Sequence, residues 1–293
     1  MRWVLGLLAG GLLSVTVFGQ SGRSRPPVID MHVHASAMIP PERAMAMFDS
    51  MNVRYIFLSG RPDTFRSWMG ADASRFLPAL SFPCLRSPCP FEGDGGFPDL
   101  TWLRDELKAG RIRALGEVIS ENAGISPADP RMEPYWTLAE ESDVPVGIHM
   151  GAGPPGTDIP MVVGDPLLLE EVLLRHKRLR VFVMHAGWPR LESMIALMYS
   201  HPNVYVDVAA LQIDTDIRRA SYMGFLRGLA EAGFGKRIMF GSDFPNPPGS
   251  GGFAQAGIDA ILTAEFLTPE DKADILCGNA ARFLRLGASV CRP

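Results

Sequence analysis

The sequence lacks the features that would carry it to a polyanion or into a bilayer. Its 293 residues hold 28 basic against 32 acidic side chains, a formal net charge of −4, with no polybasic run. There is therefore no electrostatic case for nucleic acid or an anionic membrane surface. Past Phe18 no apolar run is long enough to cross a bilayer. No internal repeat or low-complexity tract interrupts the chain, and no Cys-x-x-Cys pair marks a structural zinc site. These absences leave a small-molecule substrate as the default expectation. At 47% hydrophobic residues it can bury a sizeable core, and one α/β barrel domain of about 250 residues fits the length.

The ends and the cysteines suggest a compartment. Met1-Arg2-Trp3 is followed by an uncharged apolar run, Val4 to Phe18, and a small residue, Gly19. This reads as an export signal over residues 1–19 with a polar linker over 20–26; an uncleaved N-terminal anchor is the alternative, and the run is short for it. The catalytic domain is then expected over 27–287, with a tail over 288–293. Cys84 and Cys89 lie in a proline-rich loop and are expected to form a disulfide in an oxidising compartment.

The stretch Val28-Ile29-Asp30-Met31-His32-Val33-His34 carries two imidazoles two residues apart in a strand-like run. Strict alternation puts Asp30, His32 and His34 on one face and the apolar Ile29, Met31 and Val33 on the other. Buried imidazoles need hydrogen bonds or a metal to replace lost water. Three later apolar runs also end in such side chains: Val146 to His149, Val181 to His185, and Ile238 to Asp243. Alternation expects Ile148, Phe182, Met184, Ile238 and Phe240 to face helices, with His149, His185 and Asp243 inward.

Strands are expected at about 28–34, 53–59, 76–82, 112–119, 145–150, 180–185, 204–208 and 237–243, alternating with helices. Eight such units predict a (β/α)8 TIM barrel in a single domain. The rival doubly wound sheet would want a glycine-rich phosphate loop after its first strand, and His32 to Ser36 is not one. In a barrel the C-terminal strand ends converge on one face, so His34, Glu117, His149, His185, Asp207 and Asp243 would meet there. Imidazole and carboxylate donors suit zinc or a similar divalent ion, which would activate water and polarise a carbonyl. Asp243 would move the proton, and His185 would hydrogen-bond the carbonyl oxygen.

Together, Asp30-Met31-His32-Val33-His34, Gly147-Ile148-His149, Val183-Met184-His185-Ala186-Gly187 and Phe240-Gly241-Ser242-Asp243-Phe244-Pro245 resemble the amidohydrolase superfamily, in particular its amidohydrolase-2 branch. That branch includes aminocarboxymuconate-semialdehyde decarboxylase-like proteins. The resemblance runs from Pro27 to about Leu286. It implies that His32, His34 and His149 bind one or two divalent ions, that Asp243 binds or acts as base, and that His185 is a ligand or an acid-base residue. One departure is plain: no lysine stands between Ile112 and Asn122 to bridge two metals. Glu117 takes that place, either as a ligand or as a supporting residue.

Asp207 is a candidate for orienting the site, and Asp30 for hydrogen bonding low in the barrel. Arg61 is a candidate for binding a substrate carboxylate, with a surface salt link as the alternative. His176 and His201 are expected to be structural, while Trp188 and Phe244 either line the pocket or pack in the core. The first reading of function is metal-dependent hydrolysis of an amide, ester or lactone, and export favours it. Metal-dependent nonoxidative decarboxylation is the alternative, followed by a noncatalytic binding barrel. Substrate identity and any homo-oligomer are not legible in the sequence.

Overall fold

The computed structural model describes residues 25–84, 96–153, 158–211, 216–245 and 251–292. The expected export signal and Cys89 lie outside the described residues, as does most of the loop between Cys84 and Pro98. Among the described residues no helix is long and apolar enough to cross a membrane.

Eight strands run in sequence order: β1 Val28–His34, β2 Val53–Gly60, β3 Phe76–Phe82, β4 Ala114–Val118, β5 Val146–His149, β6 Val181–Met184, β7 Val204–Asp207 and β8 Ile238–Met239. Every neighbouring pair is parallel. The sheet curls until β8 and the chain beyond it return to β1. Met31 N donates to Phe240 O at 3.0 Å, His34 N donates to Phe244 O at 2.7 Å, and Val33 bridges Phe244. The result is a nearly closed (β/α)8 barrel in one domain.

Helices occupy the crossovers as short apolar strands require. α1 spans Pro41–Ser50, α2 Pro62–Asp72, α3 Leu100–Lys108, α4 Glu133–Glu141, α5 Glu170–Arg175, α6 Leu191–Ser200 and α7 Asp216–Leu229. Local chemistry sets their ends. Asp99 Oδ1 accepts from Trp102 N at 2.8 Å to start α3, and Gly110, at φ +71°, turns the chain away after it. α8, Gly251–Thr263, follows the eighth strand. The C-terminal pieces, α9 Pro269–Ala273 and α10 Asn279–Leu284, begin at a capping box in which Thr268 and Asp271 bond reciprocally.

Two apolar layers result. The outer one packs helices onto the barrel and holds Val181, Val183, Ile148, Ile238 and Phe240. The inner one fills the barrel with Ile29, Met31, Tyr55, Phe57, Phe182, Met184 and Met239, and α10 closes its lower end with Ala280 and Phe283. Phe182 and Met184 therefore face inward, opposite to the expectation from alternation. Phe182 meets Phe57 edge to face at 5.1 Å and Phe283 at 5.6 Å. Val33 is likewise separated from Ile29 and Met31 and packs in the outer layer. Register shifts between Asp30 and Val33 in β1 and between Leu115 and Val118 in β4 break the period there, whereas β6 keeps its period and departs from it only at His185, φ 57°.

A disulfide joins Cys277 to Cys291, with Cα atoms 5.8 Å apart. Nothing in the spacing of the two residues pointed to it.

Candidate active site

The barrel delivers its polar side chains to the C-terminal strand ends by breaking alternation where it matters. Met31 and Met184 point into the barrel, so His32 and His185 would point out if the strands stayed regular. The β1 register shift brings His32 in. His185 begins a turn at φ 57° and donates its backbone N to Asp207 Oδ1 at 2.9 Å, which swings its ring inward. In β4, Gly116 leaves room for the Phe57 ring, since a Cβ there would lie 2.6 Å from it, and the shifted register turns Glu117 to the site. Asp243 also sits at φ 57°, with its N bonded to His32 O at 2.8 Å. Such backbone conformations in non-glycine residues cluster at functional sites.

Glu117 is the hub. Its Oε2 lies 3.5 Å from His34 Nε2 and 3.8 Å from His32 Nε2, while Oε1 lies 3.3 Å from His185 Nε2 and contacts His149 Nδ1. Asp243 Oδ1 closes the first side, 3.0 Å from His34 Nε2 and 3.5 Å from His32 Nε2. Behind the imidazoles stand their supports. Asp207 Oδ2 takes His32 Nδ1 at 3.1 Å, and the Ala209 carbonyl takes His185 Nδ1 at 3.1 Å. Asp30 Oδ1 accepts from the backbone N of His32 at 3.1 Å and of Ser242 at 2.9 Å, pinning the two strand ends that carry the motif.

The electrostatics follow from burial. Burial would raise the Glu117 carboxyl, but the charge of His149 and hydrogen bonds from His149, His185 and His32 hold it well below the usual range. Burial would lower His149, yet Glu117 pushes it up to about 10. His32 is lifted well above its ordinary value, against burial, by Asp207. Asp243 is held low, against burial, by His34 and His32, whereas burial raises Asp30 to about 7. The site thus gathers anionic oxygens that must be neutralised by protons on nitrogen or by a cation.

The residues fit a divalent ion. His32, His34 and Asp243 offer ligand atoms within 4.8 Å of one another, and so do Glu117, His149 and His185, and His32, His185 and Asp207. Nitrogen and carboxylate donors in this mixture suit zinc and its neighbours. Of the residues expected in the site, His32, His34, Glu117, His149, His185 and Asp243 converge, with Asp207 behind them. Arg61 stands apart in its contacts: its guanidinium meets Asp63 at 3.3 Å on an exposed surface. His176 is buried between Glu133 at 3.0 Å and Glu140 at 3.4 Å, and His201 lies 3.6 Å from Glu170. Phe244 is buried in the outer layer. Sequence reasoning passed over Glu121, fully buried with an oxygen 3.1 Å from His149 Nε2. Its one signal was a second carboxylate four positions after Glu117.

A parallel barrel with this donor centre at its strand ends defines an enzyme of the amidohydrolase superfamily type. A family model described as Amidohydrolase matches residues 96–286. The chain belongs to that family. No curated protein sequence matches it. Among solved structures, it is similar to an amidohydrolase from Burkholderia multivorans with bound zinc (16% identity, TM-score 0.61, 89% of this chain and 100% of that one). It is also similar to a protein from Acinetobacter baumannii described as a probable 2-pyrone-4,6-dicarboxylic acid hydrolase (14%, 0.63, 88% and 99%). A third is 2,6-dihydroxybenzoate decarboxylase from Rhizobium (13%, 0.61, 89% and 99%). At these identities the likeness is one of fold.

Proposed function

We propose that the chain hydrolyses a C–N or C–O bond of a small amide, ester or lactone, with one or two divalent ions, zinc foremost, held by His32, His34, Glu117, His149 and Asp243. The observation that carries this reading is the division of the Glu117 carboxylate, one oxygen toward the His32–His34–Asp243 group and the other toward His149 and His185. A carboxylate so divided can serve two ions, an arrangement suited to hydrolysis. Bound there, the ion would supply Lewis-acid polarisation and water activation.

The chain's own groups do the rest. Asp243, buried and hydrogen-bonded to His34, accepts the proton of the water whose oxygen adds to the carbonyl carbon. It then returns that proton to the nitrogen or oxygen that leaves when the scissile bond breaks. His185, whose Nδ1 hydrogen goes to Ala209 O, carries a second hydrogen on Nε2 in its imidazolium form, and in that form it donates to the carbonyl oxygen as charge develops. Arg61, at the end of β2, is the proposed partner of a substrate carboxylate, after release from Asp63.

The second reading is nonoxidative decarboxylation, favoured by the fold shared with the Rhizobium decarboxylase. We further propose export, with cleavage after Gly19; the Cys277–Cys291 disulfide supports it, because such bonds persist in oxidising compartments.

The test is ion content of the purified protein beside His34→Ala and Glu117→Ala, with turnover on lactones, esters and amides set against carbon dioxide release from hydroxybenzoates. Two ions, one of them lost in Glu117→Ala, with hydrolytic turnover, support the first reading. One ion retained in Glu117→Ala, with carbon dioxide release, moves the assignment to the second. No ion under any loading condition removes both.

A further inference from the structure

Glu121 is a fully buried titratable group that the proposed chemistry does not use. It sits on the turn Ser120–Ala123 that follows β4, and its side chain is fully buried. Both its oxygens lack an aligned hydrogen-bond partner among the described residues, and so does His149 Nε2. Two of these atoms nonetheless lie within ion-pair distance: Glu121 Oε1 is 3.1 Å from His149 Nε2. A buried carboxylate without a partner is costly, so its retention here calls for a role.

The neighbouring imidazoles show what that role is. His32 turns Nε2 to the site because Asp207 holds Nδ1, and His185 does the same because Ala209 O holds its Nδ1. His149 is reversed: Nδ1 meets Glu117, and Nε2 is the outer nitrogen. The outer nitrogen needs an acceptor if the ring is to keep its hydrogen there and leave the Nδ1 lone pair free for a ligand role. The seat of Glu121 is also constrained. A Cβ on Gly164 would come within 2.5 Å of Glu121 Oε2 and 2.2 Å of Gly151 O, so Gly164 packs tightly against the carboxylate.

We propose that Glu121 is the positioning residue for His149, fixing the tautomer in which Nε2 carries the hydrogen and Nδ1 binds the divalent ion. The proposal rests on the ion-binding reading above. It adds a member to the site that touches neither substrate nor ion.

The experiment measures zinc affinity by competition with a chromophoric chelator for wild type, Glu121→Gln and Glu121→Ala. The zinc-loaded proteins are also examined by nitrogen NMR of the His149 ring, and all three by thermal unfolding without zinc. The expected result is about a 10- to 100-fold weaker affinity in Glu121→Ala. Glu121→Gln, which keeps an acceptor oxygen, should recover much of it. The wild-type ring should show a protonated Nε2 and a coordinated Nδ1, a signature that scrambles in the alanine variant. Unchanged affinity in Glu121→Ala, or a glutamine variant no better than alanine, overturns the proposal. So does a wild-type ring coordinated through Nε2. Wild type that takes no zinc defeats the ion-binding reading itself, and this proposal with it.

Discussion

At the scale of single residues, the site is a set of paired buried charges in which each partner answers for another. Asp207 accepts from His32 Nδ1 at 3.1 Å and from the backbone N of His185 and of Ala209, each at 2.9 Å. Asp207→Ala strands three buried donors at once. It should cost about 3 kcal/mol in urea unfolding and weaken zinc binding, because two imidazoles lose their orientation together. A variant as stable as wild type would show that those bonds contribute little. Arg61 lies at the other extreme. Its exposed link to Asp63 is worth so little that Arg61→Ala should move stability by less than about 0.5 kcal/mol. Any rise in KM for a carboxylate-bearing substrate would then report binding and not folding.

At the scale of elements, strand ends place the site and the C-terminal helices brace it from below. Asp274 begins a widened turn between α9 and α10, and a Cβ on Gly278 would come within 2.1 Å of its Oδ1. Burial would raise the Asp274 carboxyl, but hydrogen bonds from Arg282 and Lys236 hold it below its ordinary value. A carboxyl lowered on folding contributes stability that is present above its unfolded value, about 3.9, and lost as pH falls through the folded one. Asp274→Asn should therefore lower the urea midpoint at pH 7, and the gap to wild type should narrow at pH 3. A gap that is constant with pH would mean that packing against Gly278, and not charge, is what the residue supplies.

At the scale of the molecule, the two ends of the barrel do different work. The disulfide between Cys277 and Cys291, 14 residues apart, fastens the lower closure, where Phe283 packs on Phe182 and Tyr205. Closing a loop of that size is worth about 3 kcal/mol. Cys277→Ser with Cys291→Ser should lower the urea midpoint accordingly and leave zinc affinity unchanged, since the site lies at the opposite face. At the upper end, a ligand that binds only the folded state at a hundred times its dissociation constant adds about 2.7 kcal/mol. Zinc should raise the melting temperature and a chelator should reverse the rise. Unfolding indifferent to zinc would count against a cation in this centre.

The alternation of apolar strands with helices, and the polar residues that end those strands, were legible in the chain because hydrophobic period and strand length are local properties. They determined the barrel and brought His149 and Asp243 to one face. What only the tertiary structure decided is everything that depends on leaving the period. The shifted registers in β1 and β4 and the left-handed turn at His185 are set by neighbours such as Phe57, Phe182 and Asp207, remote in sequence. The same holds for Glu121, whose partner His149 lies across a strand and a helix, and for the disulfide, whose cysteines meet only because α10 turns back under the barrel. Local pattern carries no record of contacts made by chain closure, so those features had to be seen in three dimensions.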